Sequence, residues 1–231
     1  MADRPIIFSA PMVRALLDGR KTQTRRLINP QPPGCVTSAG VIARTGQGQT
    51  DEWSWLSGDP ADMDSWGFEG EFKARYRPGD RLYVREAWAP LSACTHNDPG
   101  SQAAADNGFY KADDSTVEGE IDRWRPSIHM PRSASRMTLQ VSEVRVQRLQ
   151  DISEEDALAE GIGQYGRFFG LPDADWDAAE LTAQAAFQRV WSSLHTAPGT
   201  TWDDNPWIVV VTFEVIKGNI DALPAREAEA A

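Results

Sequence analysis

From Leu16 to Arg26 the chain reads LLDGRKTQTRR, a short stretch in which reactive and anion-binding side chains are unusually dense. The residues before it predict an amphipathic helix, because Ser9 can cap its start, Pro11 suits its first turn, and Gly19 is a natural stop. The side chains predicted to face the core are Met12, Ala15, Leu16 and the aliphatic stem of Arg20. The residues after Gly19 are therefore expected to be presented from a turn.

Lys21 and Thr24 are the side chains of this stretch that could take part in a reaction. Their spacing of three residues places them on one side if the segment is helical and on opposite faces if it is extended. The spacing alone leaves both geometries open. A solvated basic turn is the alternative interpretation, since basic side chains also complement the dipole at the end of a helix.

The same stretch resembles the signature of the ASCH family, small β-barrel domains related to the RNA-binding PUA fold. Within that family it is most similar to the amidohydrolases that remove the acyl group from N4-acetylcytidine, whose signature reads LxGRKTxTxR. The residues that match are Leu17, Gly19, Arg20, Lys21, Thr22, Thr24 and Arg26.

A second block, MTLQVSEVRVQRLQDISEEDALAEGI from Met137 to Ile162, resembles the strand, crossover and helix of the same family. The resemblance places Glu160 at the position of the family's catalytic glutamate. Residues 76–84 resemble the family's turn and strand, and residues 207–215 its closing strand.

The resemblance implies an α+β fold, a PUA-like mixed β-barrel with flanking helices and large insertions. Residues 1–231 would form a single domain, with insertions near 31–75, 95–125 and 163–205, because the amidohydrolases are much shorter. Over its full length, with HMPRSASR at 129–136, the chain resembles uncharacterised ASCH-type proteins of tailed phages and prophages.

The apolar runs, the cysteine content and the net charge of the chain argue against several classes of function. No apolar run approaches the roughly 20 residues that a membrane helix needs, and the amino terminus does not resemble a secretory signal. Cys35 and Cys94 are the only cysteines, which predicts reduced thiols in a cytoplasm, that of the host if the chain is phage-encoded. The net charge of −11 argues against a protein that coats nucleic acid.

Basic residues are nevertheless concentrated in two segments. Residues 1–30 carry six basic and two acidic side chains, and residues 120–150 carry six and three. Because these segments coincide with the signature blocks, we expect a local basic cleft in an acidic protein. A modified nucleoside or a short single-stranded RNA fits such a cleft better than a long duplex.

Periodicity predicts the main elements. We expect a first strand at 6–8, an irregular lobe at 31–75, and a half-buried strand after the turn at 78–80. A strand is expected at 108–112 and a long one at 137–146. A helix from Glu154 to Glu160 follows from the cap at Ser153, and a second helix is expected from about Ala178 to Leu194. The side chains of the second helix predicted to be buried are Leu181, Ala185, Val190 and Leu194, and Phe187 and Trp191 are predicted to form an i, i+4 pair.

Other chemistries have little support in the sequence. The three histidines, His96, His129 and His195, lie far apart and lack the spacing of a zinc site. No phosphate-binding loop, dinucleotide fingerprint or nucleophile elbow occurs. We therefore predict no metal and no cofactor.

Amide cleavage needs a nucleophile, a base and groups that hold the oxyanion. We assign Thr24 as the nucleophile, with Lys21 and Glu160 as a coupled acid–base pair. Burial would lower the pKa of Lys21, while a nearby Glu160 would raise it, so the two effects compete. The alternative is that Glu160 activates water directly and Lys21 stabilises the oxyanion.

Aromatic and charged residues near these blocks are candidates for substrate binding. Trp88 could stack on a base or belong to the core. The full predicted binding set is Arg26, Arg85, Glu86, Trp88, His129, Arg132 and Arg136.

Two classes of function remain open at this point. The first is a hydrolase that removes an acyl group from a modified cytidine. The second is a non-catalytic PUA-like module that binds RNA or a modified base. Within the enzyme class, a ribonuclease acting on short RNA is a further alternative.

Overall fold

The computed structural model describes residues 3–41, 52–59, 61–90, 108–116, 121, 123–171 and 179–224. They fall into two compact units. The first unit comprises Arg20–Asp80 and Val141–Phe213. The second comprises Ala2–Gly19, Arg81–Gln140 and Glu214–Ala231. Cys94, His96 and most of the predicted insertion at 95–125 lie outside the described residues.

The main sheet of the first unit has β12 (Trp207–Lys217) at its centre, between β9 (Met137–Arg148) and β2 (Gln23–Leu27). β2 pairs with β12 in antiparallel register, with Thr24 opposite Val211. A strand is present where residues 207–215 were expected to form one, and residues 207–211 are all buried, as in a strand covered on both faces. Both β9 and β12 run on into the second unit.

Residues 31–75 contain a second sheet, so the prediction of an irregular lobe was wrong. Its three antiparallel strands are β3 (Val36–Val41), β4 (Glu52–Ser57) and β5 (Gly67–Lys73). Trp55 stacks on Phe72 with ring centroids 4.1 Å apart and contacts Trp207 at 5.3 Å. The aromatic residues therefore do anchor this segment, but they do so from paired strands. Because the segment is rich in glycine, serine and proline, the alternation of the tryptophans at 53 and 55 was not recognised as the pattern of a strand.

Two helices and a hairpin cover one face of the first unit's main sheet. They are α2 (Glu154–Ala159), β10 (Gly163–Tyr165), β11 (Phe168–Gly170) and α3 (Ala183–Leu194). Ser153 caps α2 by accepting from the backbone N–H of Asp156, as the sequence predicted. The helix ends at Glu160 and Gly161, whose φ of +100° requires glycine.

The buried face of α3 differs from the predicted one. Phe187 and Trp191 pack as expected, with ring centroids 6.1 Å apart. Leu181 and Leu194 are 69% and 72% exposed, so the prediction that they face the core was wrong. The helix begins only at Ala183, after the cap at Thr182, and the two aromatic side chains set which face is buried.

The second unit contains a sheet in the order β1-β6-β9 and a small pair of strands. β1 runs parallel to β6, which is antiparallel to the start of β9. Helix α1 begins after Ser9 and is followed by Gly19, as predicted, but it buries Val13 rather than Met12. The elements are β1 (Asp3–Ile7), α1 (Ala10–Leu17), β6 (Arg81–Arg85), β7 (Trp88–Ala89) and β8 (Phe109–Tyr110).

The predicted α+β class is confirmed, since strands in several sheets are combined with a few helices. The strand pairings seen among the described residues do not form a closed barrel. Within the same residues, no helix is long and apolar enough to cross a membrane.

Candidate functional site

The end of α2 and the start of β2 are joined by backbone hydrogen bonds. Thr22 donates its N–H to the carbonyl of Ala159 at 2.8 Å, and its own carbonyl accepts from Phe213 at 2.9 Å. The chain is thus extended immediately after Lys21, where the sequence suggested a turn. This pairing places Lys21 beside the last residue of α2, Glu160.

Lys21 and Glu160 form a buried ion pair. The Nζ atom of Lys21 donates to Oε2 of Glu160 at 2.7 Å and to its backbone oxygen at 2.7 Å. Lys21 is 1% exposed and Glu160 5%. The predicted contact between these residues is therefore present, and the lysine also neutralises a helix carbonyl at the negative end of the dipole of α2.

Arg25 extends the pair into a network. Its NH1 atom donates to Oε1 of Glu160 at 3.1 Å, and its NH2 atom donates to Oδ2 of Asp156 at 2.6 Å. Arg145 from β9 contacts both oxygens of Asp156 at 3.2 Å. Both carboxylate oxygens of Glu160 are thus bound by cations, one on each side.

Burial governs the protonation of Lys21. Loss of solvent lowers the pKa of its ammonium, and the charges of Arg26 and Arg25 lower it further. The charge of Glu160 and its hydrogen bond act in the opposite direction but do not cancel the effect of burial. Of the two effects that compete in the sequence argument, desolvation is therefore the larger.

The surroundings of Asp156 favour the charged form of its side chain, whereas those of Lys21 favour the neutral form. The partial burial of Asp156 would raise the pKa of the carboxyl, but the charges of Arg25 and Arg145 and hydrogen bonds with Gln23 and Arg145 hold that pKa below its usual value. Asp156 consequently provides a fixed negative charge on which two guanidinium groups converge.

Thr24 is buried, at 4% exposure, in the middle of β2. Successive side chains of a strand point to opposite faces, and Arg25 points to the face that carries Asp156 and Glu160. Thr24 therefore lies on the other face, the one it shares with Val211. Among the described residues, no hydrogen bond links the Thr24 hydroxyl to Lys21 or Glu160, and its role as nucleophile stays a prediction. Arg26, of the predicted binding set, also lies in β2, opposite Val209.

The other predicted binding residues lie in the second unit. Glu86 is 1% exposed, and both of its carboxylate oxygens accept from Arg136, at 2.9 and 3.1 Å. Arg136 also binds Asp113 and lies over the ring of Tyr110 at 4.0 Å. Burial raises the pKa of Glu86, which the charge of Arg136 partly offsets. Two predicted binding residues thus bind each other.

Arg132 and Arg85 also have protein partners. Arg132 donates to both oxygens of Asp221 and to Asp3. Arg85 donates to the backbone oxygens of Met130, at 2.8 Å, and Ile128. These contacts fix the segment around the exposed His129.

Trp88 is 8% exposed and packs with Met130 and Ala134. Its indole is approached so closely by Gly108 that a Cβ there would lie 2.4 Å from its Nε1 atom. This packing corresponds to the core alternative for Trp88, and a role in binding stays a prediction.

Arg25 and Asp156 were not among the site residues predicted from the sequence. Arg25 fills the variable position between Thr24 and Arg26 in the signature, so the resemblance carried no information about it. Asp156 was recognised only as part of a helix cap. The available signal was the alternation of β2, which puts residues 23 and 25 on one face.

No group of three or more histidine, cysteine, aspartate or glutamate side chains among the described residues is placed to hold a metal ion. Comparison of the chain with protein-family models, with curated proteins and with solved structures finds no match.

Proposed function

We propose that this protein hydrolyses the amide that links an acyl group to N4 of a modified cytidine. The observation that carries the proposal is the buried contact between Lys21 and Glu160, at 2.7 Å, within the segment that resembles the amidohydrolase signature. A buried lysine whose pKa is lowered can accept a proton at neutral pH more readily than an exposed one. The resemblance supplies the substrate class, and the PUA-like ASCH fold and a cytoplasmic location belong to the same proposal.

The proposed reaction has two steps. The hydroxyl of Thr24 attacks the acyl carbon and gives its proton to neutral Lys21, and Lys21 then passes that proton to the departing N4 amine. Water next attacks the acyl–threonine ester, which releases the carboxylic acid and restores the hydroxyl. In both steps the charge of Glu160 holds Lys21 in place and stabilises its protonated form.

Direct activation of water by Glu160 is the second route to the same product. Both oxygens of Glu160 already accept hydrogen bonds from cations. A water molecule could therefore reach this carboxylate only by displacing one of them or by sharing an oxygen. These bonds hinder the water route, and the threonine route requires the Thr24 hydroxyl to reach Lys21 from the face of β2 opposite Arg25.

The second candidate function is a non-catalytic PUA-like module that binds RNA or a modified base. It is favoured by the low exposure of Lys21 and Glu160, because two charges that satisfy each other are also typical of a structural ion pair. Ribonuclease action on short RNA has no separate support in the geometry.

Purified protein should be incubated in parallel with N4-acetylcytidine and with a short single-stranded RNA. The proposal predicts release of acetate and cytidine, which Lys21→Ala abolishes and Lys73→Ala, at an exposed lysine of the same unit, leaves intact. Binding without turnover would support the binding module, and shortened RNA would support the ribonuclease.

A further inference from the structure

Lys21, just before β2, and Arg25, within β2, share one carboxylate. Lys21 binds Oε2 of Glu160 at 2.7 Å, and Arg25 binds Oε1 at 3.1 Å. The side chain of Arg25 is fully buried, at 0% exposure. A guanidinium is placed there at a high desolvation cost, which only close carboxylates can offset.

We propose that Arg25 is a positioning residue, which fixes the carboxylate of Glu160 on Lys21 and takes up part of its charge, so that the lysine can work as a base. This inference rests on the proposed function and adds a residue that the signature leaves unspecified. Arg25 contacts neither the acyl group nor the reacting hydroxyl in this scheme, because it acts through Glu160.

The shape of the side chain explains why an arginine suits this position. Its two terminal nitrogens reach different carboxylates, Glu160 at 3.1 Å and Asp156 at 2.6 Å. A planar fork with two bonds of this kind resists rotation, whereas a lysine offers a single point of charge. Asp156 is itself held by Arg145, so the fork is anchored at its far end.

The charged groups around Glu160 come from three elements. β2 and the segment just before it contribute Arg25 and Lys21, α2 contributes Asp156, and β9 contributes Arg145, which acts through Asp156. A fourth neighbour, α3, presents the ring of Phe187 at 5.7 Å from the guanidinium. The balance between two cations on one carboxylate is therefore the feature that a substitution at Arg25 would change.

Loss of Arg25 has a definite electrostatic consequence. The charge of Glu160 would then act on Lys21 alone, and one of the cations that disfavour the ammonium would be gone. Both changes favour protonated Lys21 and raise its pKa. An arginine whose charge did not reach Glu160 or Lys21 would leave this titration unchanged in a protein that remains folded.

The chain offers a direct measurement because it contains only four lysines, at positions 21, 73, 111 and 217. Protein labelled with 13C at lysine Cε gives one signal for each of them, and Lys21→Met identifies the signal of interest. In Arg25→Gln the midpoint of the Lys21 titration should rise by about 1 pH unit, the size typical of a neighbouring charge. Arg189→Gln is the matched control, since it removes an exposed arginine of the same unit that pairs with Glu180, and it should leave the midpoint within about 0.3 pH units of the original.

The same variants should be followed in the deacylation assay. The acid limb of the kcat profile should move upward in Arg25→Gln together with the midpoint seen by NMR. If the wild-type protein does not deacylate N4-acetylcytidine but the midpoint rises as expected, the proposed reaction fails while the control of Lys21 by Arg25 holds. An active protein with an unchanged midpoint would overturn the inference and spare the reaction.

If Arg25→Gln does not fold by circular dichroism, Asp156→Asn provides the test. Among the described residues, this substitution leaves Glu160 as the one carboxylate partner of Arg25. The positive charge of the guanidinium then offsets more of the negative charge of Glu160. The Lys21 midpoint should then move down. A midpoint that stays constant in this folded variant would also overturn the inference.

Discussion

Lys21 and Glu160, separated by 139 positions in the chain, meet through two hydrogen bonds of 2.7 Å from one nitrogen. Burying two charges costs free energy that their attraction only roughly offsets, and an apolar pair of similar volume is often as stable or more so. Stability alone therefore does not explain why a lysine occupies this buried position. The proposed proton transfer would account for it, because an apolar pair cannot carry a proton.

We expect Lys21→Ala, Thr24→Ala and Glu160→Ala each to lower the rate of deacylation of N4-acetylcytidine by on the order of 100-fold or more. Removal of a nucleophile or of an acid–base group typically has an effect of this size. The measurement is kcat and KM for each variant, with circular dichroism to confirm folding.

Thr24→Ala is the most informative of the three variants. Full activity would assign Thr24 a purely structural place in β2 and leave water activated by Glu160 as the mechanism. Thr24→Ser keeps the hydroxyl and should retain most of the rate, which separates chemistry from packing.

Arg132→Ala tests a residue that we assign to binding. The ion pairs of Arg132 with Asp3 and Asp221 lie largely at the surface, where such pairs contribute little to stability, so the free energy of unfolding should change little. If Arg132 holds the substrate, KM rises while kcat stays close to its original value, because such a contact contributes uniform binding. Unchanged KM and kcat would remove Arg132 from the substrate site.

Sequence patterns predicted the parts of the fold that depend on local chemistry. Ser153 caps α2, Gly161 ends it, and the apolar run from residue 207 forms a strand, because each needs only its neighbours in the chain. The sheet at 36–73 was missed because its strands are short and separated by glycine and proline. Which face of α3 is buried depends on partners that local periodicity does not show.

The candidate site was predictable to a similar extent. The resemblance paired Lys21 with Glu160, and the contact is present. Arg25 and Asp156 could not be paired from the sequence, because their contact depends on how α2 lies against β2. The spacing of Lys21 and Thr24 left two geometries open, and the extended form of β2 is the one observed.

Asp156 makes stability depend on pH in the acid range. Burial raises the pKa of its carboxyl, but Arg25 and Arg145 lower it by more, so the pKa in the folded protein is below the usual value near 4. Its stabilising effect is therefore complete above about pH 4 and is lost as the pH falls through the pKa of the folded state. In urea unfolding, the difference in free energy between the wild type and Asp156→Asn should be larger at pH 7 than at pH 3.

The buried pair of Glu86 and Arg136 allows a double-mutant cycle. Arg136→Met would leave the carboxylate of Glu86, 1% exposed, without its cation, and should lower the free energy of unfolding by about 3–5 kcal/mol at pH 7. Glu86→Met in the same protein removes the stranded charge, so the double variant should be more stable than Arg136→Met alone. Urea unfolding of the four proteins measures the coupling.

The pH dependence of Arg136→Met provides an independent check of the same explanation. Burial already raises the pKa of Glu86, and without Arg136 the largest influence that lowers it is gone. Because the pKa in the folded state is then higher than in the unfolded state, the folded protein takes up the proton first as the pH falls. The destabilisation of Arg136→Met relative to the wild type should therefore shrink between pH 8 and pH 5. An equal loss at both values would show that Arg136 acts through its packing on Tyr110 and its bond to Asp113 rather than through the charge of Glu86.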